Sequence, residues 1–534
     1  MHCKISSVLS RWTAAVAVAC GILVVPPPAI GSTAHTGLPA VRANCSACHR
    51  ETTPGHFDRI SDERKTPEGW AMTIFRMRQV HGVQLTPQAQ ASIIRYLSDA
   101  QGLAPSETAA GRFALERRPE AKDLHLPGNL PVMCGRCHSL ARVALQRRTA
   151  AEWLKLINMH VGQWPSLEYQ DRSRDLHWWQ IATAQLPGEL AQLFPLDSAA
   201  WRDWSARPHA DLAGKWIVHG NTPGRGDYYG TAAISRTAGG EYSAQYTLRY
   251  SNGSQINGSS TAIVYTGYQW RGTATLGGEL VREVYFASAD GSQISGRWFR
   301  ADHSEIGGDW YAERATGAPR VIAVIPEALK VGTSGRITLL GYDLRGPVSF
   351  GAGTRTTVLA RTPYGINLEV SVDGRAAPGY RAVRAGGVGR ADMLAVYRSV
   401  DRVAVEPSFA IARLGGGQLA PVDAQFEAIG YAEVTEPHGK KKSVRLGPVH
   451  VTWTLKPFDA EAARLLDARY AGVLDQNGRF LPAEAGPDPR RQFSADNTGN
   501  FSIVGTLKDA AARTVAGKAH LIVTVQRWNN PPIY

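Results

Sequence analysis

The pattern Cys-x-x-Cys-His occurs twice, as "NCSACHR" from Asn44 and "MCGRCHS" from Met133, with the two leading cysteines 89 positions apart. The chain has six cysteines, of which Cys3 and Cys20 lie in the N-terminal segment and the other four all stand inside these two motifs. Beyond Cys137 there is no thiol to cross-link anything, so the long C-terminal remainder must hold together by packing alone. At 534 residues it exceeds what one hydrophobic core serves, and three or four domains are expected.

A cysteine pair two residues apart with histidine immediately following suits covalent attachment of a c-type haem. The two thiols add to the porphyrin vinyl groups, and the adjacent imidazole reaches the iron. This assigns Cys45, Cys48 and His49 to one haem, and Cys134, Cys137 and His138 to a second. A Cys₄ zinc site or a redox dithiol uses the same cysteine spacing, but neither accounts for a histidine after both pairs.

The segments after the motifs repeat. "TPEGWAMTIFRMRQVHG" starts at Thr66 and "TAAEWLKLINMHVGQ" at Thr149, so that Thr66 and Thr149, Trp70 and Trp153, and Ile74 and Ile157 are each 83 apart. In each copy the threonine is placed to cap a helix with an acid in its first turn, Glu68 or Glu152. Met77 and His160 occupy the same register, seven residues after the tryptophan, and are the expected sixth iron ligands. Met72, His81 and His56 compete for the first role, and Met159, His125 and His177 for the second. A thioether raises potential relative to imidazole, so electrons are expected to pass from the His160 haem toward the Met77 haem. "ASIIRYLSDAQG" closes the first unit (about 35–105) and "RSRDLHWWQIATAQL" the second (about 120–200), within a dihaem domain of residues 35–205. "LAPSETAAGRFALERRPEAKDLHLPGN" between them reads as a polar linker.

Residues 1–34 have the form of a cleaved secretory signal: Lys4 and Arg11, the apolar run "WTAAVAVACGILVV", and "STA" ending at Ala34. The three prolines from Pro26 argue against a membrane anchor. Removing the segment takes two basic and no acidic residues, lowering the formal charge from +13 to +11. A basic exported protein attracts acidic partners, and nucleic acid is a poor candidate. The only compact basic run, Lys440 to Lys442, reads as a solvated turn.

From about residue 210 helical periodicity gives way to alternation. "EYSAQYTLRY" puts Tyr242, Ala244, Tyr246, Leu248 and Tyr250 on one face. Three antiparallel β-domains are expected: a barrel or sandwich at 210–320, an immunoglobulin-like unit at 321–398, and a C-terminal unit at 399–534 with one short helix at "DAEAARLLDARYAG". No triad or metal spacing emerges in them, His303 and His450 read as surface or strand residues, and the sequons at Asn252 and Asn257 read as hairpin turns. Such domains suit subunit docking better than catalysis.

Two Cys-x-x-Cys-His units followed by "GKWIVHGNTPGRGDYYGTA" and further β-units resemble the α subunit of quinohaemoprotein amine dehydrogenase, over essentially the whole mature chain. The resemblance implies a periplasmic enzyme oxidising primary amines to aldehyde and ammonia. It also implies two partner subunits, a β-propeller and a small chain bearing cysteine tryptophylquinone. That quinone needs a free cysteine, and every mature cysteine here is committed, so catalytic residues are expected on another chain. The role left to this one is electron transfer through two haems c to a soluble acceptor such as a blue copper protein or small cytochrome. A self-sufficient dihaem oxidoreductase, a peroxidase or sulfur-compound dehydrogenase, is the rival reading.

Overall fold

The computed structural model describes residues 37–119, 121–164, 167, 170, 172–416, 419–435, 440–508 and 513–526; residues 1–34, read above as a signal, lie outside them. An N-terminal helical region is followed by antiparallel β-domains. Among the described residues no helix is long and apolar enough to cross a membrane.

Five helices frame the first region: α1 Leu38–Cys45, α2 Pro67–His81, α3 Pro87–Ala100, α4 Leu130–Cys134 and α5 Ala150–Gln163. Thr66 Oγ1 accepts from the Gly69 N–H at 3.3 Å and Thr149 Oγ1 from the Glu152 N–H at 3.2 Å, so both repeat helices start where a side chain satisfies an otherwise unpaired first-turn donor. Trp70 and Trp153, 1% and 2% exposed, each anchor a separate small core. Two short strands join the units: β1 Glu63–Lys65 pairs antiparallel with β2 Gln146–Arg148, in the register Glu63↔Arg148, Arg64↔Arg147, Lys65↔Gln146. These segments are related by the same 83-residue offset as the helices. Only the central pair, Arg64 and Arg147, joins equivalent positions, so the ladder has a local twofold axis between them.

The segment from Leu103 to Asn129 is not a solvated linker. Leu103, Ala104 and Leu115 are buried, the last two in one core with the β-domain that follows, and Glu107 is enclosed by Arg64, Arg147 and Ser198. Its charges found partners far along the chain: Arg118 pairs with Asp309 at 2.7 Å, and Arg297 donates to the carbonyls of Glu116 and Arg117.

Eight strands then close an up-and-down barrel: β3 Gly214–Thr222, β4 Gly226–Arg236, β5 Tyr242–Tyr250, β6 Gln255–Tyr265, β7 Gln269–Leu276, β8 Glu279–Ala287, β9 Gln293–Arg300 and β10 Gly307–Arg314. Closure is made by β10 on β3, Ala312 opposite Val218. The alternating residues of β5 all point inward and are buried. The interior is packed with rings, Tyr285 stacking on Trp310 at 5.1 Å, around the buried carboxyl of Glu283. Tyr246, Ser260 and Trp270 donate to Glu283 at 2.6–2.8 Å, which satisfies a polar group that would otherwise be costly to bury. Glycine is demanded at Gly230, where φ is +158° and an added Cβ would lie 2.1 Å from the Thr247 carbonyl oxygen.

Next come two four-stranded sheets packed face to face over Ile337, Leu339, Phe350, Ile366 and Leu368, and then a unit of one four-stranded and two three-stranded sheets. "DAEAARLLDARYAG" forms two short helices rather than one, Ala460–Arg464 and Asp467–Tyr470, separated at Leu466, whose φ is +54°. Lys441 and Lys442 open a strand, Lys441–Pro448, instead of lying in a turn. Asn252 does sit in the β5–β6 turn, capping Ser254, whereas Asn257 is inside β6.

Candidate haem-binding sites

At the first motif α1 ends at Cys45, and the chain turns so that the Cys48 and His49 N–H groups both donate to the Cys45 carbonyl, at 3.1 and 2.8 Å. That turn gathers both thiols and the imidazole. The His49 ring nitrogen Nδ1 lies 3.0 Å from the Asp58 carbonyl oxygen, which engages one side of the ring and leaves Nε2 free. The second motif follows α4 in the same way, with His138 Nδ1 3.0 Å from the Ser139 carbonyl oxygen. Asp123 braces this turn, accepting from Ser139 Oγ and from the Leu140 N–H, both at 2.7 Å.

The four motif cysteines, those among the described residues, form no disulfide. Burial pushes the Cys134 thiol up to about 11, with Cys137 adding to the rise, and burial also raises Cys45. A raised thiol is the opposite of what a redox dithiol needs. Nor do the four cysteines converge: among the described residues the one grouping of three or more metal-capable side chains is His303, Glu305 and Asp423.

That grouping, unread in the sequence, is a clasp between the barrel and the C-terminal unit. His303 Nδ1 lies 2.9 Å from Glu305, Glu305 accepts from the Asp423 N–H at 3.1 Å, and Asp423 is neutralised by Arg479.

Met77 lies on α2 in the same register as Trp70 and Ile74, and His160 on α5 as Trp153 and Ile157; positions spaced by four and three residues share one helix face. His160 Nδ1 is 2.7 Å from the Leu156 carbonyl oxygen, the one-sided anchoring seen at His49 and His138. Burial lowers the His138 imidazole below its usual range, and the nearby charges of Arg142 and His160 lower it further. Burial lowers His160 too, with Arg142, Arg76 and Arg148 adding to the effect. The structure thus brings His138 and His160 within electrostatic reach of each other, both favoured in the neutral form that binds metal. Among the competitors, His56, His81, His125 and His177 are exposed, while Met72 and Met159 are half-buried.

The donor set fits a haem: paired thiols, an adjacent imidazole with a free nitrogen, and large apolar side chains exposed on the same helices. Phe75 and Val80 on α2 and Val161 on α5 are each more than half exposed, the kind of surface a porphyrin face covers.

Sequence reasoning missed the arginines. The 83-residue offset also relates "ERK" at Glu63 to "QRR" at Gln146, directly ahead of each capping threonine, and that signal was available. Arg64 makes a two-pronged contact with Glu107 at 2.8 and 2.9 Å, and Arg147 reaches the same carboxylate at 3.1 Å. Burial by itself would raise Glu107, but the hydrogen bonds from Arg64 and the charge of Arg147 outweigh it and hold the carboxyl at about 2.

Four family models match the chain in sequence. Residues 35–201 match the model described as quinohaemoprotein amine dehydrogenase A, alpha subunit, haem binding. Residues 209–315, 318–398 and 403–533 match domains II, III and IV of the same alpha subunit. No curated protein matches the chain. Among solved structures, a redesigned β-barrel bound to DFHBI is 17% identical at a TM-score of 0.17, over 19% of this chain and 94% of that one. A human mucin-like protocadherin fragment is 11% identical at a TM-score of 0.17, over 40% of this chain and 99% of that one.

Proposed function

Because the chain belongs to the quinohaemoprotein amine dehydrogenase α-subunit family, we propose that it is the electron-transfer subunit of a periplasmic amine dehydrogenase, carrying two covalent haems c. In this reading primary amines are oxidised to aldehyde and ammonia at a cysteine tryptophylquinone on a small partner subunit, beside a β-propeller subunit. The electrons leave through this chain to a soluble blue copper protein or cytochrome. A haem c supplies a one-electron iron couple whose potential follows its axial ligands and surroundings.

The protein's own residues do the rest. Cys45 and Cys48, and Cys134 and Cys137, are the thioether attachment points. His49 and His138, each oriented by a carbonyl on Nδ1, would bind the irons through Nε2. Met77 and His160 would supply the remaining protein donor to each iron, and their difference would set the first site above the second in potential. The observation that carries the reading is that each Cys-x-x-Cys-His motif ends a helix in a turn and holds its imidazole by one carbonyl at Nδ1.

The test is anaerobic addition of a primary amine to the complex purified with its partners, following the c-type absorption bands. Reduction that disappears once the partners are stripped away is the expected result. Bands that ignore amines in the intact complex, or a lone chain whose haems turn over peroxide, would overturn the proposal.

A further inference from the structure

The join between the two units carries more positive charge than it answers. Lys65, Arg76, Arg142 and Arg148 meet there, and one buried carboxylate, Glu63, serves them. Glu63 pairs with Lys65 at 2.6 Å and with Arg148. Lys65 also donates to Thr73 Oγ1 at 2.6 Å, so these two cations are satisfied.

Arg76 and Arg142 are not. Among the described residues neither guanidinium has a carboxylate within ion-pairing distance, and the Arg142 side chain has no hydrogen-bond acceptor. The one acceptor of Arg76 is Thr73 Oγ1, at 3.2 Å. Both residues are half-buried. A cation withdrawn from water without a counter-charge is costly, so such groups are kept where an anion completes them.

Their position selects the anion. The Ser139 carbonyl oxygen holds both the His138 ring nitrogen, at 3.0 Å, and the Arg142 backbone N–H, at 3.1 Å, which fixes Arg142 beside the proximal histidine. Arg76 directly precedes Met77 on the other unit's helix, and its acceptor Thr73 Oγ1 also receives Lys65 Nζ at 2.6 Å, which ties it to the ladder that joins the units.

We propose that Arg142 and Arg76 form the carboxylate-binding site for the haem of the second unit, pairing with the two propionates of the porphyrin attached at Cys134 and Cys137. The proposal rests on the reading that this motif carries a haem. Two unpaired cations and two carboxylate arms agree in number and in sign. Guanidinium is the group that grips a carboxylate with two parallel hydrogen bonds. Since Arg76 belongs to α2, the second cofactor would be held from both units at once.

The experiment uses the full-length holoprotein, with haem counted by pyridine haemochrome and chain mass, and both midpoint potentials read by spectroelectrochemical titration. Arg142→Gln should keep two haems and lower one midpoint potential while leaving the other in place, because a lost nearby cation stabilises the oxidised iron. Arg76→Gln should lower the same one, and Arg142→Lys should restore most of the potential. Two haems with both potentials unmoved in Arg142→Gln would overturn the assignment. Should Arg142→Gln fail to accumulate, the propionate-bending band in the resonance Raman spectrum of Arg142→Lys decides: a shifted band is expected, and an unshifted one overturns the pairing. A wild-type chain with one haem would instead overturn the underlying reading of the second motif.

Discussion

Removing the carboxylate of Glu107 strands two buried arginines at once. Arg64 and Arg147 have side chains 3% and 8% exposed, and Glu107 itself is 6% exposed. Deleting one member of a buried ion pair costs about 3–5 kcal/mol, most of it the penalty of the charge left behind. Glu107→Ala should therefore destabilise the haem-binding region by about 3–5 kcal/mol, a fall of roughly 6–20 °C in Tm for a region of this size. Glu107→Gln, which keeps an acceptor, should fall at the lower end. Thermal and denaturant unfolding followed by tryptophan fluorescence and by c-band absorbance, which report the whole chain and the haem region separately, would measure both. The pH dependence is a second signature. Glu107 is held at about 2 against an ordinary 4.5, so its contribution is complete above about pH 4.5 and lost as pH falls toward 2. The gap between wild type and Glu107→Gln should close over that window. Replacing the trio together, Arg64→Met, Arg147→Met and Glu107→Leu, should recover most of the loss. A Glu107→Ala protein within 1 kcal/mol of wild type, with an unchanged acid limb, would refute the reasoning.

Three further outcomes are expected. Thr66→Ala and Thr149→Ala should each cost about 1 kcal/mol in denaturant unfolding, since each deletes the acceptor for one first-turn N–H. Met77→His should lower the potential of the first-unit haem and draw the two redox waves together, whereas an unmoved wave would remove Met77 from the ligand set. With a formal charge of +13 for the full sequence, the rate of electron delivery to an acidic acceptor should fall steeply as salt rises in stopped-flow mixing, and a flat salt profile would place contact on a neutral face.

What could be read in the sequence was what is local. The helices at Thr66 and Thr149 announce themselves by a cap and a repeating tryptophan, and β5 by strict alternation over nine residues. The segment after Leu103 misled because its polar residues are paired at a distance. Arg118 meets Asp309, and Arg297 answers the backbone of Glu116, contacts that span more than 180 residues and leave no trace in composition. Barrel closure was hidden for the same reason, since β3 and β10 are the first and last strands of the meander. His303 read as an ordinary surface residue because Asp423, which completes its cluster, lies in another domain. At the haem-binding sites the motif histidines were plain. The arginines around them were not, because a buried cation and a solvated one are spelled alike.

The short ladder of Glu63–Lys65 on Gln146–Arg148 has a consequence for direction. About the axis of this ladder the two strands present equivalent ends, and a join of that kind has no intrinsic entrance or exit. Whatever makes such a module one-way must be written in side chains that differ between the copies. Met77 against His160 is one such difference, and glutamate against glutamine at positions 63 and 146 is another. Polarity of this kind is inexpensive to reverse: a handful of substitutions, with no change of fold, would turn the module around.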